Sequence, residues 1–208
     1  PFNDLDTTAA ILQRHKDEIA AVIVEPLQRS IAPRPGFLQG LRRATREAGV
    51  LLIFDEVVTG FRLAWGGAQE RYGVVPDIAA LGKAIGGGYP VGAIVGRAEL
   101  MAPFTVEALR EDRHVFYSGT FSGNPVTATA GLATLNVLHR PGVYERLEQA
   151  GRRLAQGLRD LCRMLEFPAF VAQEGSVVDI LFTEADVKDY RDTLTADASL
   201  GAAFRVEL

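Results

Sequence analysis

Two short apolar runs constrain the fold of this chain more than any other feature. They are AAVIVEP, at residues 20–26, and VLLIFDE, at residues 50–56. Both are rich in β-branched and aliphatic residues without polar alternation, which is typical of strands buried on both faces of a parallel sheet. Residues 37–48, between them, place apolar side chains at helical spacing, and Gly49 is a suitable helix stop. The pattern predicts a strand, helix, strand unit with a right-handed crossover, and therefore an α/β fold.

The next segments extend this α/β pattern. A helix is predicted near residues 8–18, before the first strand, and a third strand is predicted at Ile78–Leu81. A fourth strand at residues 92–96 follows too closely for a parallel crossover, so we expect it to be antiparallel. Asn124-Pro125 then supplies a helix cap followed by proline at the first helical position, which predicts a helix over residues 126–138.

The last third of the chain predicts a change of architecture. From Val143 to Leu165, apolar residues recur at spacings of three and four, which indicates one continuous apolar stripe packed on a core. Short strands near residues 169–171 and 177–182 and a helix near residues 185–194 should follow. We therefore expect residues 1–138 to belong to an α/β domain and residues 139–208 to begin a smaller α+β domain. The absence of an initiator methionine suggests a piece of a longer protein.

Composition narrows the class of partner. The 208 residues are 48% hydrophobic with a net charge of −4 and no basic blocks, which argues against nucleic acid and anionic membranes as partners and favours small molecules. The single cysteine, Cys162, rules out an internal disulfide and fits a reducing compartment. His15, His114 and His139 are too scattered to indicate a metal site. Without a predicted signal peptide or membrane-spanning run, we expect a cytoplasmic protein.

The stretch ALGKAIGGGYP, at residues 80–90, contains an isolated lysine. Lys83 stands between an apolar run and three glycines, and the nearest charged residues are Asp77 and Arg97. Asp55 ends the second strand and Lys83 ends the third, and ligands collect beyond the carboxyl ends of strands in open parallel sheets. We therefore expect Asp55 and Lys83 to face one crevice. The alternative is an ordinary ion pair at a strand end.

Three features favour a ligand site over the ion pair. Gly82 and Ala84 leave room for a planar group beside Lys83, and residues 86–88 are glycines that permit unusual backbone conformations. The stretch SGTFSGNP, at residues 118–125, places hydroxyls and backbone N–H groups at a helix start, which suits a phosphate. A planar phosphorylated aldehyde would use all three features. A Walker loop would not, because Asp77 replaces its first glycine and Ala84 its Ser or Thr.

Longer motifs carry a family resemblance. LLIFDEVVTGFR, PDIAALGKAIGGGYPVGAIVGR and YSGTFSGNPVTATAGLATL resemble the class III, pyridoxal-phosphate-dependent aminotransferases, and most of all the branch that contains glutamate-1-semialdehyde 2,1-aminomutase. The resemblance extends from the start of the chain to about Arg163, and family members are about twice as long. It implies fold type I, the aspartate-aminotransferase-like fold. Residues 1–138 would form the C-terminal part of the cofactor-binding large domain, and residues 139–208 would begin the small domain.

The resemblance also implies roles for individual residues. Lys83 would form a Schiff base with pyridoxal 5'-phosphate, and Asp55 would pair with the pyridine nitrogen. Val57 would pack against the ring. Thr120, beside Gly119, would reach the phosphate of the cofactor held by a partner subunit, so the family implies a homodimer with shared active sites. Desolvation among glycine and apolar residues would help Lys83 to lose its proton and act as a nucleophile.

One position departs from the aminomutase pattern. Ser30 stands where glutamate-1-semialdehyde aminomutases usually have an asparagine that contacts the cofactor. The resemblance therefore implies transamination between an amine or amino acid and a carbonyl compound, with the intramolecular aminomutase reaction as an alternative. A catalytically silent dimerisation or binding module is another alternative, against which the presence of both Asp55 and Lys83 argues. Glu56 should point to the opposite strand face in a structural role, and Arg62 is either a substrate-carboxylate ligand or a surface contact.

Overall fold

A computed structural model describes residues 1–207 of the chain. Its strands are Ala21–Val24 (β1), Leu51–Glu56 (β2), Ile78–Gly82 (β3), Gly92–Gly96 (β4), Phe170–Glu174 (β5) and Val177–Leu181 (β6). Its α-helices are Leu5–Arg14 (α1), Phe37–Glu47 (α2), Gly67–Tyr72 (α3), Ala98–Met101 (α4), Val106–Arg110 (α5), Pro125–Leu138 (α6), Val143–Met164 (α7), Tyr190–Thr193 (α8) and Ala198–Glu207 (α9).

The first four strands form one mixed sheet in the order β1-β2-β3-β4. Strands β1, β2 and β3 are parallel, and β4 runs antiparallel to β3. The predicted order and directions of these strands are confirmed. Strands β5 and β6 form a separate antiparallel pair, which agrees with the expected change of architecture.

Helix α2 covers one face of the mixed sheet. Its side chains Phe37, Leu38 and Leu41 pack in one buried cluster with Leu52 and Phe54 of β2. Burial of each such side chain contributes about 1.5–3 kcal/mol, so this cluster anchors the strand that ends in Asp55.

The opposite face of the sheet is less covered than the sequence predicted. Strand β2 alternates between buried and half-buried residues, with Leu52 and Phe54 on the buried side and Ile53 and Asp55 on the other. Ile23, which pairs with Ile53 in the register, is 66% exposed. Within residues 1–207 the helix that packs on these strands, α2, lies on the Leu52 side, so burial of the second face stays a prediction.

Helix α7 also differs from its prediction. The expected apolar stripe is largely open, since Leu154 and Leu165 are 56% and 61% exposed. The helix instead packs on the β5–β6 pair through Gly151 and Ala155, which are buried. A β-carbon on Gly151 would collide with the Gly175 carbonyl oxygen at the β5–β6 turn. Small residues allow this close approach, and the leucine stripe therefore faces away from the pair.

The predicted first and last helices need correction. Helix α1 begins at Leu5, before the predicted residue 8, because the Asp4 carboxylate accepts a hydrogen bond from Thr7 N at 3.0 Å and caps it. The predicted helix near residues 185–194 is confirmed only over its last part, Tyr190–Thr193. A capping box between Asp189 and Asp192 starts the short helix α8 instead, and α9 follows.

Side-chain contacts join the β5–β6 unit to the mixed sheet. Ser30 Oγ donates to Asp179 Oδ2 at 2.8 Å, and Arg71 Nη2 lies 2.8 Å from Glu174 Oε1. Asn3 Nδ2 donates to the Lys188 carbonyl oxygen at 2.9 Å. The domain boundary at residues 138 and 139 stays a prediction. Within residues 1–207, no helix combines the length and apolar character needed to cross a bilayer.

Candidate functional site

The carboxyl ends of β2 and β3 lie side by side, as predicted. In their parallel register Asp55 is opposite Ala80 and Glu56 is opposite Leu81. Side chains directly opposite in a sheet share a face, so Asp55 and Ala80 lie on the same side. Val57 N donates to Asp55 Oδ1 at 3.1 Å. This bond fixes the direction of the carboxylate at the strand end.

Lys83 leaves the end of β3 in an uncommon backbone conformation. It has a φ of +46° and begins a tight helical turn over residues 83–86. The left-handed region costs a residue with a β-carbon about 1–3 kcal/mol, so the surrounding structure must impose it. The Lys83 side chain is exposed within residues 1–207, so its desolvation stays a prediction.

The glycine loop after Lys83 rests on helix α6. A β-carbon on Gly87, which has a φ of +58°, would lie 2.9 Å from the Ala130 carbonyl oxygen. One on Gly131 of α6 would lie 2.6 Å from the Ile85 carbonyl oxygen. Both distances are shorter than a side chain tolerates, so glycine is needed on the loop and on the helix. This close packing holds the turn that carries Lys83 against α6.

Val57 and the 118–125 segment enclose a cleft of about 850 Å³. Val57 and Ala80 line one wall, and Gly119 and Thr120 line the other. A β-carbon on Gly82 would lie 3.2 Å from Val57 Cγ1, so the end of β3 packs closely on Val57. The structure thus brings three predicted site residues, Val57, Gly119 and Thr120, into one cleft of a single chain.

One crevice shared by Asp55 and Lys83 stays a prediction, because Lys83 lines neither the Val57 cleft nor the cleft that contains Asp55. Asp55 lines that second cleft, of about 420 Å³, together with Val24, Glu25 and Gln28. Gln28 Oε1 is buried there and has no hydrogen-bond partner among the described residues. The sequence prediction missed Glu25 and Gln28 as site residues. Their signal was their place directly after β1, because the carboxyl ends of parallel strands meet at one edge of the sheet.

Ser30 and Arg62 do not join Asp55. Ser30 is buried, its hydroxyl is bonded to Asp179, and it lines a different cleft from the one that contains Asp55. Arg62 is exposed in the loop between β2 and α3. The structure therefore separates these two sequence candidates from the strand ends.

Glu56 has the structural role that the sequence predicted. It is fully buried on the face opposite Asp55. Its carboxylate accepts hydrogen bonds from Thr59 Oγ1 at 2.9 Å, Ala68 N at 2.6 Å and Gln69 Nε2 at 3.0 Å. A β-carbon on Gly67, which has a φ of +66°, would collide with this carboxylate. Glu56 thus fixes the loop that follows Asp55.

A buried ion cluster fixes the other end of β3. Asp77 Oδ2 accepts from Leu52 N at 2.7 Å and from Arg42 Nη1 at 2.8 Å, while Arg97 Nη1 lies 3.1 Å from Oδ1. Burial alone would raise the pKa of Asp77, but the hydrogen bonds from Leu52 and Arg42 outweigh it and lower the pKa. Within residues 1–207, no group of His, Cys, Asp and Glu side chains is arranged to hold a metal ion.

Known proteins match this chain over nearly its whole length. The family model for class-III aminotransferases matches residues 3–205, well past the predicted limit near Arg163. A glutamate-1-semialdehyde 2,1-aminomutase from Pelotomaculum thermopropionicum is 48% identical over 98% of this chain and 46% of its own length. The chain spans about half the length of the curated relatives that it matches.

Solved structures agree with the family model. An omega-transaminase from Sphaerobacter thermophilus superposes with a TM-score of 0.87 and is 40% identical, covering 96% of this chain and 45% of its own. A transaminase solved with PLP bound has a TM-score of 0.80 at 29% identity, over 87% of this chain and 42% of its own.

Proposed function

This chain belongs to the class-III aminotransferase family, and we propose that the whole protein transfers an amino group between an amine or amino acid and a carbonyl compound, with pyridoxal phosphate as cofactor. One observation carries the proposal. Asp55 and Lys83 stand at the carboxyl ends of two hydrogen-bonded parallel strands, with Asp55 opposite Ala80. An amine and a carboxylate in that arrangement suit the two ends of a planar cofactor better than they suit a surface ion pair.

The surrounding residues fit the proposed cofactor. Gly82 packs closely on Val57, since a β-carbon on Gly82 would lie 3.2 Å from Val57 Cγ1. Because Gly82 has no side chain, the two residues form a flat apolar surface that suits a planar ring. Thr120 and Gly119, which also line the Val57 cleft, supply a hydroxyl and a backbone N–H for a phosphate, which in a homodimer would be that of the partner subunit's cofactor. In the Asp55 cleft, the unpartnered Gln28 Oε1 is an acceptor available to a polar group of the cofactor or substrate.

Each residue at the strand ends has a definable task. When bound, pyridoxal phosphate supplies an aldehyde that takes the amino group and a ring that accepts electrons from the substrate carbon. Asp55 would hold a proton on the ring nitrogen. Lys83 would hold the cofactor covalently through Nζ, and its freed amine would then take a proton from the amine-bearing substrate carbon. Val57 would orient the ring, and Glu56 keeps the supporting loop fixed.

The experiment is to add pyridoxal phosphate to the whole protein and record its absorption spectrum. We expect a cofactor band near the visible edge in the wild type and in a Lys188→Ala control. Lys83→Ala should lose that band while still binding the cofactor in a dialysis assay. A wild-type protein without the band would contradict the proposal and would favour a silent binding module.

The intramolecular aminomutase reaction is the second candidate. It is favoured by the 48% identity to a glutamate-1-semialdehyde 2,1-aminomutase. Conversion of glutamate-1-semialdehyde by the holoenzyme without an external amino donor would support it. A requirement for an external amino donor would instead support transamination. Ser30 is consistent with that outcome, because it replaces the asparagine usual in aminomutases and its hydroxyl is bonded to Asp179.

We also propose that the enzyme is a homodimer with shared active sites. Phe116 and Phe121 flank Thr120 and are 82% and 76% exposed, an apolar surface that a second copy would cover. Thr120 would then serve the partner subunit's phosphate. Mixed dimers of Thr120→Ala and Lys83→Ala subunits would contain one intact site and regain activity. If the phosphate site lies within one chain, these mixed dimers would stay inactive.

A further inference from the structure

A third cleft, of about 590 Å³, lies between the segment after β1 and the β5–β6 unit. It is a different cleft from those lined by Asp55 and by Val57. Its polar and charged lining consists of Asn3, Ser30, Arg34, Arg159, Gln173 and Lys188. The lining therefore contains three basic side chains and no acidic one.

Two of the three cations have no carboxylate partner in the described part of the chain. Arg159, which is partly buried on α7, donates from Nη2 to the Val171 carbonyl oxygen at 2.8 Å and makes no ion pair within residues 1–207. Other arginines of α7 do make one, since Arg152 pairs with Glu148 and Arg163 pairs with Asp160. Arg34 also lacks an ion pair among these residues, while Lys188 Nζ lies 2.8 Å from Asp186 Oδ2.

The nearby carboxylates are already engaged. Asp179 accepts the Ser30 hydroxyl, and Asp186 is the Lys188 partner. Asp192 Oδ2 accepts from the backbone N–H groups of Lys188 and Asp189 at 2.7 and 3.1 Å. These carboxylates stay charged and offset much of the positive charge, but they take up none of the guanidinium N–H donors of Arg34 and Arg159.

We propose that this cleft binds a small oxyanion, a carboxylate or a phosphate, between Arg34 and Arg159. A guanidinium stays charged in a protein and presents donors in a planar fork that matches both groups. Because Arg34 follows β1 and Arg159 lies on the helix that packs on β5, the ligand would link the two units. The proposal is independent of the amino-transfer reaction.

The test uses the whole protein saturated with pyridoxal phosphate, so that the cofactor's own phosphate site is filled. Inorganic phosphate and succinate are titrated separately by calorimetry. We expect saturable binding of one or both probes, and the stronger probe identifies the ligand as a phosphate or a carboxylate. Arg159→Gln and Arg34→Gln should each weaken that binding at least tenfold, and Arg159→Lys should restore part of it.

Arg163→Gln is the matched control, since Arg163 lies one turn further along α7 and pairs with Asp160. It should bind the probe as the wild type does. The exposed Arg34 keeps the test valid if the Arg159 variant fails to fold. Absence of saturable binding in the wild type would overturn the proposal, and so would equal binding by the control and both glutamine variants.

Discussion

Asp55 lies opposite Ala80 in the parallel register of β2 and β3, and Lys83 follows Ala80 by three residues. The carboxylate and the amine therefore leave the sheet at the same end of two hydrogen-bonded strands. Their supports are separate, because Glu56 fixes the loop after Asp55 and α6 carries the turn after Lys83. Variants of these supports should consequently have effects that can be told apart.

The contact between Gly82 and Val57 should be sensitive to a single methyl group. In Gly82→Ala, the added β-carbon would lie 3.2 Å from Val57 Cγ1, so Val57 or the strand end must move. We expect a loss of stability of about 1–3 kcal/mol, with weaker cofactor retention, measured by urea unfolding and dialysis. Gly157→Ala is the control, because that helical position has open space and should gain up to about 1 kcal/mol. Equal effects of both variants would contradict this account.

Removing the charge of Glu56 should destabilise the loop that follows Asp55. Glu56→Gln would turn an amide N–H₂ toward groups that already donate, including Ala68 N and Gln69 Nε2. We expect a loss of about 2–3 kcal/mol in the free energy of unfolding. The exposed Glu47→Gln should change it by less than about 0.5 kcal/mol. A stable Glu56→Gln protein would show that the buried carboxylate is not required.

The Asp77 cluster predicts a pH dependence of stability. Its pKa in the folded protein is lowered below the ordinary value of 3.8, so the folded state favours the ionised carboxylate. Its contribution is therefore present above about pH 4 and is lost as the pH falls through the folded-state pKa. Asp77→Asn should lose about 3 kcal/mol at pH 7, because it leaves Arg42 without its buried partner.

The same cluster predicts how this variant compares with the wild type in acid. The difference in unfolding free energy between them should shrink as the pH falls below 4 and through the lowered folded-state pKa of Asp77, below which the wild-type carboxylate is neutral as well. Denaturant melts at several pH values measure it. A difference that stays constant with pH would show that Asp77 acts through packing and not through its charge.

The exposed phenylalanines beside Thr120 should control assembly. In the whole protein, Phe116→Ser with Phe121→Ser should shift the dimer toward monomer, because the apolar surface proposed for the second copy is lost. Sedimentation velocity measures the change. Val206→Ser is a matched control, since Val206 is equally exposed but lies on α9. A wild-type monomer, or a dimer unaffected by the double substitution, would contradict the shared-site proposal.

The sequence predicted the parts of the structure that depend on local pattern. The apolar runs predicted β1 and β2, and the short glycine-rich connection after β3 predicted that β4 is antiparallel. The sequence also predicted that Asp55 and Lys83 leave the sheet at the same edge, because the carboxyl ends of parallel strands share an edge. The leucine stripe of α7 is open within residues 1–207, because periodicity shows that a helix is amphipathic but not which of its faces packs on β5 and β6. Here Gly151 and Ala155 decide that face.

Other features depend on partners that are distant in the chain. Ser30 was placed at the cofactor by resemblance, but its hydroxyl bonds to Asp179, which lies 149 residues away. The position of Gln28 after β1 could have marked it, but its buried oxygen without a hydrogen-bond partner becomes visible only after folding. The exposure of Lys83 also could not be read from its apolar neighbours, since exposure depends on which segments cover it.

Covalent labelling of Lys83 tests the central claim most directly. The chain contains three lysines, Lys16, Lys83 and Lys188. Borohydride reduction of the whole protein loaded with pyridoxal phosphate, followed by peptide mass spectrometry, should attach the cofactor to the peptide that contains ALGKAIGGGYP and to no other. Lys83→Ala should abolish the label, while Asp55→Asn should keep it and slow proton removal from the substrate. A label on Lys16, Lys188 or a lysine elsewhere in the whole protein would contradict the assignment of Lys83.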